Sequence, residues 1–377
     1  MLAQTKRFPP TFCAFAEGRN NPNWHASCTL STTLQAVRSY WKALTNRENI
    51  ITQCPNMNPI FNRILAIEDA YRDSTQALEW AAKIVPANGH VKVVDVQPPL
   101  SAFWQELFRN EYEDSPAYHR KKAISEKSRG VVFPTEHVTG QILSGNPTAE
   151  IVREAITGGH DLVIKEAWAK ASDVVFGSLD MRLLRYCPIP VWLAHPDRSP
   201  NACHRVLVAL NPDAGENEMK LNERLLRCAS SVAVGFDCRL HVVAAFQPRT
   251  SAFPILDRES LRKVEQHSRK TRKLAQEKIA SLVRASRKAI DPSDIVLADG
   301  DPDEVILNSV DLIDPDLLVM GSVARNGLSG LLVGNAAERV IRQVNCSVLT
   351  VKPQDFVTPI LPERIESQDY GGLRPAF

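Results

Sequence analysis

The chain repeats itself, which confines it to folds built from two copies of one unit. Asn62-Arg63-Ile64-Leu65-Ala66-Ile67-Glu68-Asp69 is matched by His204-Arg205-Val206-Leu207-Val208-Ala209-Leu210-Asn211. Each has a basic residue, a short apolar run and a polar turn, the pattern of a buried strand. Amphipathic helical stretches follow at Ser74 to Val85 and at Met219 to Val234. Second strands are expected at Val91 to Gln97 and Leu240 to Gln247, both ending in Gln-Pro. The parallel resumes at Gly145-Asn146-Pro147 and Gly300-Asp301-Pro302, where a turn leads into a helix with Pro in its first turn. Asp161-Leu162-Val163-Ile164 pairs with Asp316-Leu317-Leu318-Val319 as the fourth strand, and Pro190 to Leu193 pairs with Ser347 to Thr350 as the fifth.

Each half therefore predicts the order β-α-β-α-β-α-β-α-β. Apolar strands without alternation, separated by helices, make a parallel sheet covered on both faces. The expected fold class is α/β, with two tandem doubly wound sheets whose ligand crevices lie beyond the carboxyl ends of the strands. The expected domains are 57–196 and 204–354, joined by a linker at 197–203. Residues 1–56 have no counterpart in the repeat and are expected to be a poorly ordered extension, or to precede a start at Met57. Residues 355–377 are expected to be a tail.

Forty-five basic and forty-three acidic residues leave a net charge of +2, too small to call for a nucleic-acid partner. The basic helix expected from Arg258 to Lys288 is broken up by Glu259, Glu265 and Glu277 and lacks interleaved aromatics, so it suits a solvated face. No run approaches the roughly 18–20 apolar residues of a membrane span. Ala14-Phe15-Ala16 resembles a cleavage site, but Pro9-Pro10 breaks the stretch before it. The eight cysteines form no CxxC pair and no close Cys/His cluster, so they are expected to be buried thiols of a reducing compartment, the cytoplasm, with no metal site.

The segment that carries chemistry begins at Met320-Gly321 and reaches Gly334-Asn335-Ala336 through a glycine-containing loop. Gly321 is expected in a tight turn after the fourth strand. Asn335 is the N-cap candidate, with Glu338 three positions on in a near capping-box arrangement. A helix start preceded by glycine offers free N–H groups and partial positive charge, which suits phosphate.

In this segment, and in its tandem layout, the sequence resembles the universal stress proteins. Their nucleotide-binding members carry Gly-x-x-Gly, nine residues, then Gly-Ser or Gly-Thr; here Gly321, Ala324 and Gly334-Asn335 fall on those positions. The resemblance implies a Rossmann-like strand order of 3-2-1-4-5 in each half. It also implies pairing of the two last strands, a pseudo-dimer within one chain that leaves room for a homo-oligomer. The site it implies comprises Asn211, Val243, Met320, Gly321, Ala324, Gly334, Asn335 and Ala336, with ATP or another small phosphorylated ligand as its occupant.

The departures are specific. Ala324 adds a Cβ where phosphate would approach the backbone, Asn335 replaces a hydroxyl, and Asn211 stands where the first half has Asp69. In the first half Gly177-Ser178 aligns with Gly334-Asn335, but Glu166 takes the place of Gly321, and a carboxylate there repels phosphate. That site is expected to be degenerate. No general base, nucleophile or metal-binding carboxylate stands out beside Gly321 to Asn335, so the expected function is ligand binding in a stress response, without robust catalysis. A slow nucleotide hydrolase and an interaction module with vestigial pockets are the alternatives.

Overall fold

The computed structural model describes residues 61–99, 115–167, 169–170, 173–174, 176–213, 215–246, 258–286, 288–322 and 334–360. The proposed N-terminal extension, Ala324 and the end of the tail lie outside them. In the first half β1 (Arg63–Ile67), β2 (His90–Gln97), β3 (Val138–Ser144), β4 (Leu162–Glu166) and β7 (Val191–Ala194) alternate with helices. These are α1 (Gln76–Ile84), α2 (Pro116–Gly130), α3 (Pro147–Thr157) and α4 (Ser178–Tyr186). A two-residue antiparallel pair, β5 (Ala169–Lys170) and β6 (Asp173–Val174), interrupts the path from β4 to α4.

The second half contains β8 (Arg205–Leu210), β9 (Arg239–Phe246), β10 (Ile295–Asp299), β11 (Leu317–Gly321) and β12 (Ser347–Val351). Its helices are α5 (Glu216–Gly235), α6 (Arg258–Arg284), α7 (Pro302–Ile313) and α8 (Asn335–Ile341).

Two separate sheets were expected, and one forms. All ten long strands join in the order β10-β9-β8-β11-β12-β7-β4-β1-β2-β3. Each half keeps the expected 3-2-1-4-5 order with parallel neighbours. The expected meeting of the last strands also occurs, and the meeting is itself a ladder: β7 and β12 pair antiparallel, with Leu349 opposite Trp192. Both strands would otherwise present an unpaired edge of N–H and C=O groups, and joining them satisfies both.

Side chains alternate across this sheet as the strand period requires. Ile64, Ala66, Leu162, Ile164, Trp192, Leu317, Val319 and Leu349 lie in one apolar cluster with Trp80, Ile124, Ala229 and Ile279, so α1, α2, α5 and α6 cover that face. Leu65, Val163, Leu193, Leu318 and Val348 lie in the other with Ile151, Leu183, Val310 and Val340, so α3, α4, α7 and α8 cover the opposite face. Each cluster runs through both halves without a break.

The turns recur with the repeat. Gly145 and Gly300 adopt φ of +146° and +145°, a region that penalises any Cβ, and each precedes a helix with Pro at its start. The Asn146 side chain accepts from the Ala149 N–H at 3.2 Å, capping α3. The repeated Asp at the head of the fourth strand has a shared task. Asp161 accepts from the N–H groups of Asn62 (2.7 Å) and Arg63 (3.1 Å), and Asp316 from those of His204 (2.7 Å) and Arg205 (2.9 Å). Each carboxylate thus fixes where its half's first strand begins.

Candidate functional site

In the second half, β8 and β11 are neighbours, so Asn211 and Gly321 emerge side by side at their carboxyl ends. The Gly334 N–H donates to the Ser322 carbonyl at 3.1 Å, which brings the far end of the glycine loop back to its start. Asn211, Gly321 and Gly334 to Ala336 therefore belong to one end of the sheet. Val243 and Met320 belong beneath it, buried in the core cluster that contains Leu207 and Leu318. Val243 is fully buried and presents no surface.

Two local expectations need correction. The N-cap of α8 is Gly334, in extended conformation, and Asn335 is already the first helical residue, so the Asn335 capping box does not form. Glu338 instead pairs with Arg342 at 2.7 Å, one turn along the helix. Gly321 ends β11 opposite Val351, within the ladder and not in a tight turn. What favours glycine there is space, because a Cβ would come within 3.3 Å of the Leu221 side chain. Asn211 is engaged locally: its N–H donates to Asn222 Oδ1 (3.0 Å) and its carbonyl accepts from Asn222 Nδ2 (2.7 Å). Its Oδ1 accepts from the Asp213 N–H at 3.2 Å, so this side chain organises the turn from β8 to α5.

The first half holds a cavity of about 690 Å³ at the carboxyl ends of β1, β2 and β4, closed by the starts of α3 and α4. Its polar wall carries Glu68, Asp69, Asp95, Glu166 and Asp180 together with Arg72, Arg120 and Lys165. The charges are arranged in pairs. Arg120 bonds to Asp95, Lys165 reaches Asp180 at 2.8 Å, and Arg72 stands 4.0 Å from Glu166. Lys127, from α2, meets Glu68 at 3.4 Å and donates to the carbonyls of Asp69 and Ser74. Glu166 also accepts from the Ser74 hydroxyl. Asp180 accepts from the Gly177 N–H at 2.8 Å, so the start of α4, which aligns with the start of α8, is capped by a carboxylate of its own helix.

Burial outweighs Lys127 at Glu68 and, with Glu166 nearby, pushes its carboxyl up to about 7. The cavity floor therefore changes charge near neutrality. Apolar contact comes from Ile67, Val96, Ile151 and Phe176. Among these residues the sequence pointed only to Asp69, Glu166, Gly177 and Ser178. A signal for the others existed: Asp95 interrupts the apolar run Val93-Val94-Asp95-Val96, and Lys165 directly follows Leu162-Val163-Ile164. A charge inside a doubly covered strand needs a partner or a cavity.

Among the described residues no helix is long and apolar enough to cross a membrane, and no group of three His, Cys, Asp or Glu side chains could hold a metal ion.

Sequence comparison agrees with this architecture. A model of the universal stress protein family matches residues 61–195 and again 204–352. Universal stress protein E of Photorhabdus laumondii is 32% identical over 317 residues, covering 80% of this chain and 98% of the relative. A universal stress protein E homolog of Haemophilus influenzae is 26% identical over 308 residues, covering 78% and 98%. Among solved structures, a functionally unknown protein from Pseudomonas aeruginosa superposes with a TM-score of 0.61 at 21% identity, covering 78% of this chain and 94% of that one. A match this distant speaks to the fold alone. With the family pattern matched once in each half and the tandem relatives aligned over most of the chain, the protein belongs to the universal stress protein family, as a tandem-domain member homologous to universal stress protein E.

Proposed function

We propose that this protein binds small ligands in the cytoplasm and acts in regulation or protection, not in turnover. The observation that supports this best is the cavity of about 690 Å³ in the first half. It lies where an open α/β sheet takes its ligand, and its size falls within the roughly 300–1,000 Å³ of small-molecule sites. Its cations already face carboxylates, so a polyphosphate would have to break ion pairs to enter. A neutral, hydroxyl- or amide-bearing molecule suits this wall better.

The phosphorylated ligand, an adenine nucleotide, is assigned on this reading to the second half, at Gly321, Gly334, Asn335 and Ala336 beside Asn211. Its support is the motif spacing and the Gly334–Ser322 hydrogen bond that gathers the loop ends. Ala324 and Asn335 depart from the family pattern, so affinity there is modest.

Native mass spectrometry of protein purified without added ligand, and calorimetry against ATP, test the two parts separately. A molecule should co-purify with the wild type and be lost on Ser178→Trp, which obstructs the first cavity; nothing bound to the wild type sinks that part. ATP binding should disappear in Gly334→Leu and survive in Glu166→Gln and Ala324→Gly. No heat from either the wild type or Ala324→Gly rejects the nucleotide. Mg²⁺-dependent multiple turnover of ATP would favour the hydrolase instead.

A further inference from the structure

Cys203 and Cys238 stand where the chain enters β8 and β9, two neighbouring parallel strands. Their sulfurs are 3.0 Å apart, and Cys238 Sγ is also 3.1 Å from the Cys203 carbonyl. Disulfide formation would need the sulfurs to close by about 1 Å, to roughly 2.0 Å. Both thiols are buried, yet Ala202, His204, Asp237 and Arg239 on either side of them are exposed, so the pair lies one residue beneath the surface. Cys187, Cys228 and Cys346 are buried as well.

We propose that Cys203 and Cys238 form a redox modification site, oxidised to a reversible disulfide by hydrogen peroxide. The thiol contact favours sharing one proton between the two sulfurs, which lowers the Cys238 pKa and raises that of Cys203. Lys288, held at the Ala233 carbonyl (3.1 Å) and Asp237 (3.3 Å), adds positive charge nearby, while burial and the Asp316 and Asp237 carboxylates act against the thiolate. By contrast, burial pushes the thiols of Cys187 and Cys346 up to about 11 and about 12, which suppresses their thiolates.

The chemistry balances as follows. The Cys238 thiolate attacks one peroxide oxygen, the O–O bond breaks, and the departing hydroxide takes the proton released by the pair to form water. Cys238 is then a sulfenic acid. The Cys203 sulfur attacks it, the S–S bond forms, the S–O bond breaks, and the hydroxide leaves as a second water with the Cys203 proton. Two thiols lose two electrons in total and one peroxide becomes two waters.

The position gives the bond a structural effect. Cys203 ends the linker, directly after the 3₁₀ turn Pro200–Ala202, while Cys238 lies just past α5 and Phe236. Phe236 touches Trp80 of the first half, with ring centroids 5.1 Å apart. A disulfide would tie the end of the linker to the segment that packs across the two halves.

The test is peptide mapping of the full native chain after brief exposure to a slight molar excess of peroxide. The expected result is a 203–238 cross-link, with loss of two hydrogens, reversed by dithiothreitol. It should be absent in Cys203→Ala and in Cys238→Ser, while Cys187, Cys228 and Cys346 stay reduced. The urea-unfolded wild type, treated alike, should scramble its pairings, which separates native geometry from chance and does not depend on either variant folding. Sulfinic acid at Cys238 without a cross-link, cross-links to other cysteines in the native chain, or no reaction at either residue would each overturn the assignment.

Discussion

Trp80 of the first helix and Trp192 of the first half's last strand hold their rings 4.9 Å apart at 43°, and Trp80 continues to Phe236 of the second half. Neither indole N–H has a hydrogen-bond partner, so the contact is one of apolar packing. It lies beside the β7–β12 ladder and joins the two halves through side chains where the ladder joins them through backbone.

Trp80→Ala should therefore destabilise both halves together. A cost of about 3–5 kcal/mol is expected for emptying such a site, with Trp80→Phe costing far less. Chemical denaturation followed by far-UV circular dichroism measures it. Two separated transitions in Trp80→Ala, with one at the wild-type midpoint, would show that the halves are not coupled through this residue.

Glu68 makes stability depend on pH with a definite sign. Its carboxyl is at about 7 in the fold against 4.5 in the open chain, so the folded state holds a proton that the unfolded state has released between those values. Its contribution is complete below 4.5 and is lost as pH rises through 7, with a slope of at most about 1.4 kcal/mol per pH unit. Glu68→Gln should flatten that part of the profile. An unchanged slope in the variant would place the origin elsewhere.

Lys352 does the opposite at alkaline pH. Burial brings its ammonium down to about 8 from 10.5, although its Nζ donates to the Leu184 carbonyl and lies 3.3 Å from Ser322 Oγ. Between those pH values the unfolded chain binds the extra proton, so stability contributed by this group rises from pH 8 to 10.5 and is lost below 8. Lys352→Met should remove that rise, as read from urea midpoints at several pH values.

Asp161→Asn and Asp316→Asn remove the same strand-start clamp from the two halves, but not at the same cost. Asp316 also faces Arg198 at 3.4 Å, and Arg198 in turn bonds to Asp314 at 2.5 Å, anchoring the linker. Each substitution should cost about 1–3 kcal/mol, with Asp316→Asn the larger. Equal midpoints for the two variants would mean that Arg198 adds nothing.

The repeat made most of the fold legible. Segments such as Ile64–Ile67 and Leu317–Val319 are apolar on both sides, which only a doubly covered sheet tolerates, and Pro147 and Pro302 marked helix starts where they occur. The union of the two sheets was less legible, because Trp192 and Leu349 look like any buried strand residue and nothing in their spacing shows an antiparallel partner 157 positions away. Glycine spacing directed attention to the loop of the second half, whereas the first-half cavity was obscure because charge pairing governs it. Asp95 with Arg120, and Lys165 with Asp180, meet only because α2 and α4 pack their side chains against the ends of β2 and β4. Asn335 was misplaced by one residue because a glycine N-cap leaves no side-chain signature.

The β7–β12 ladder joins two strands of the same polypeptide, so its formation carries no concentration term. Dilution cannot separate the halves, and melting should not shift with protein concentration as it does for a two-chain assembly. The same ladder also fixes pairing choice. Strand edges that could otherwise accept a related domain are already filled by a tethered neighbour, so while folded each half keeps its one companion.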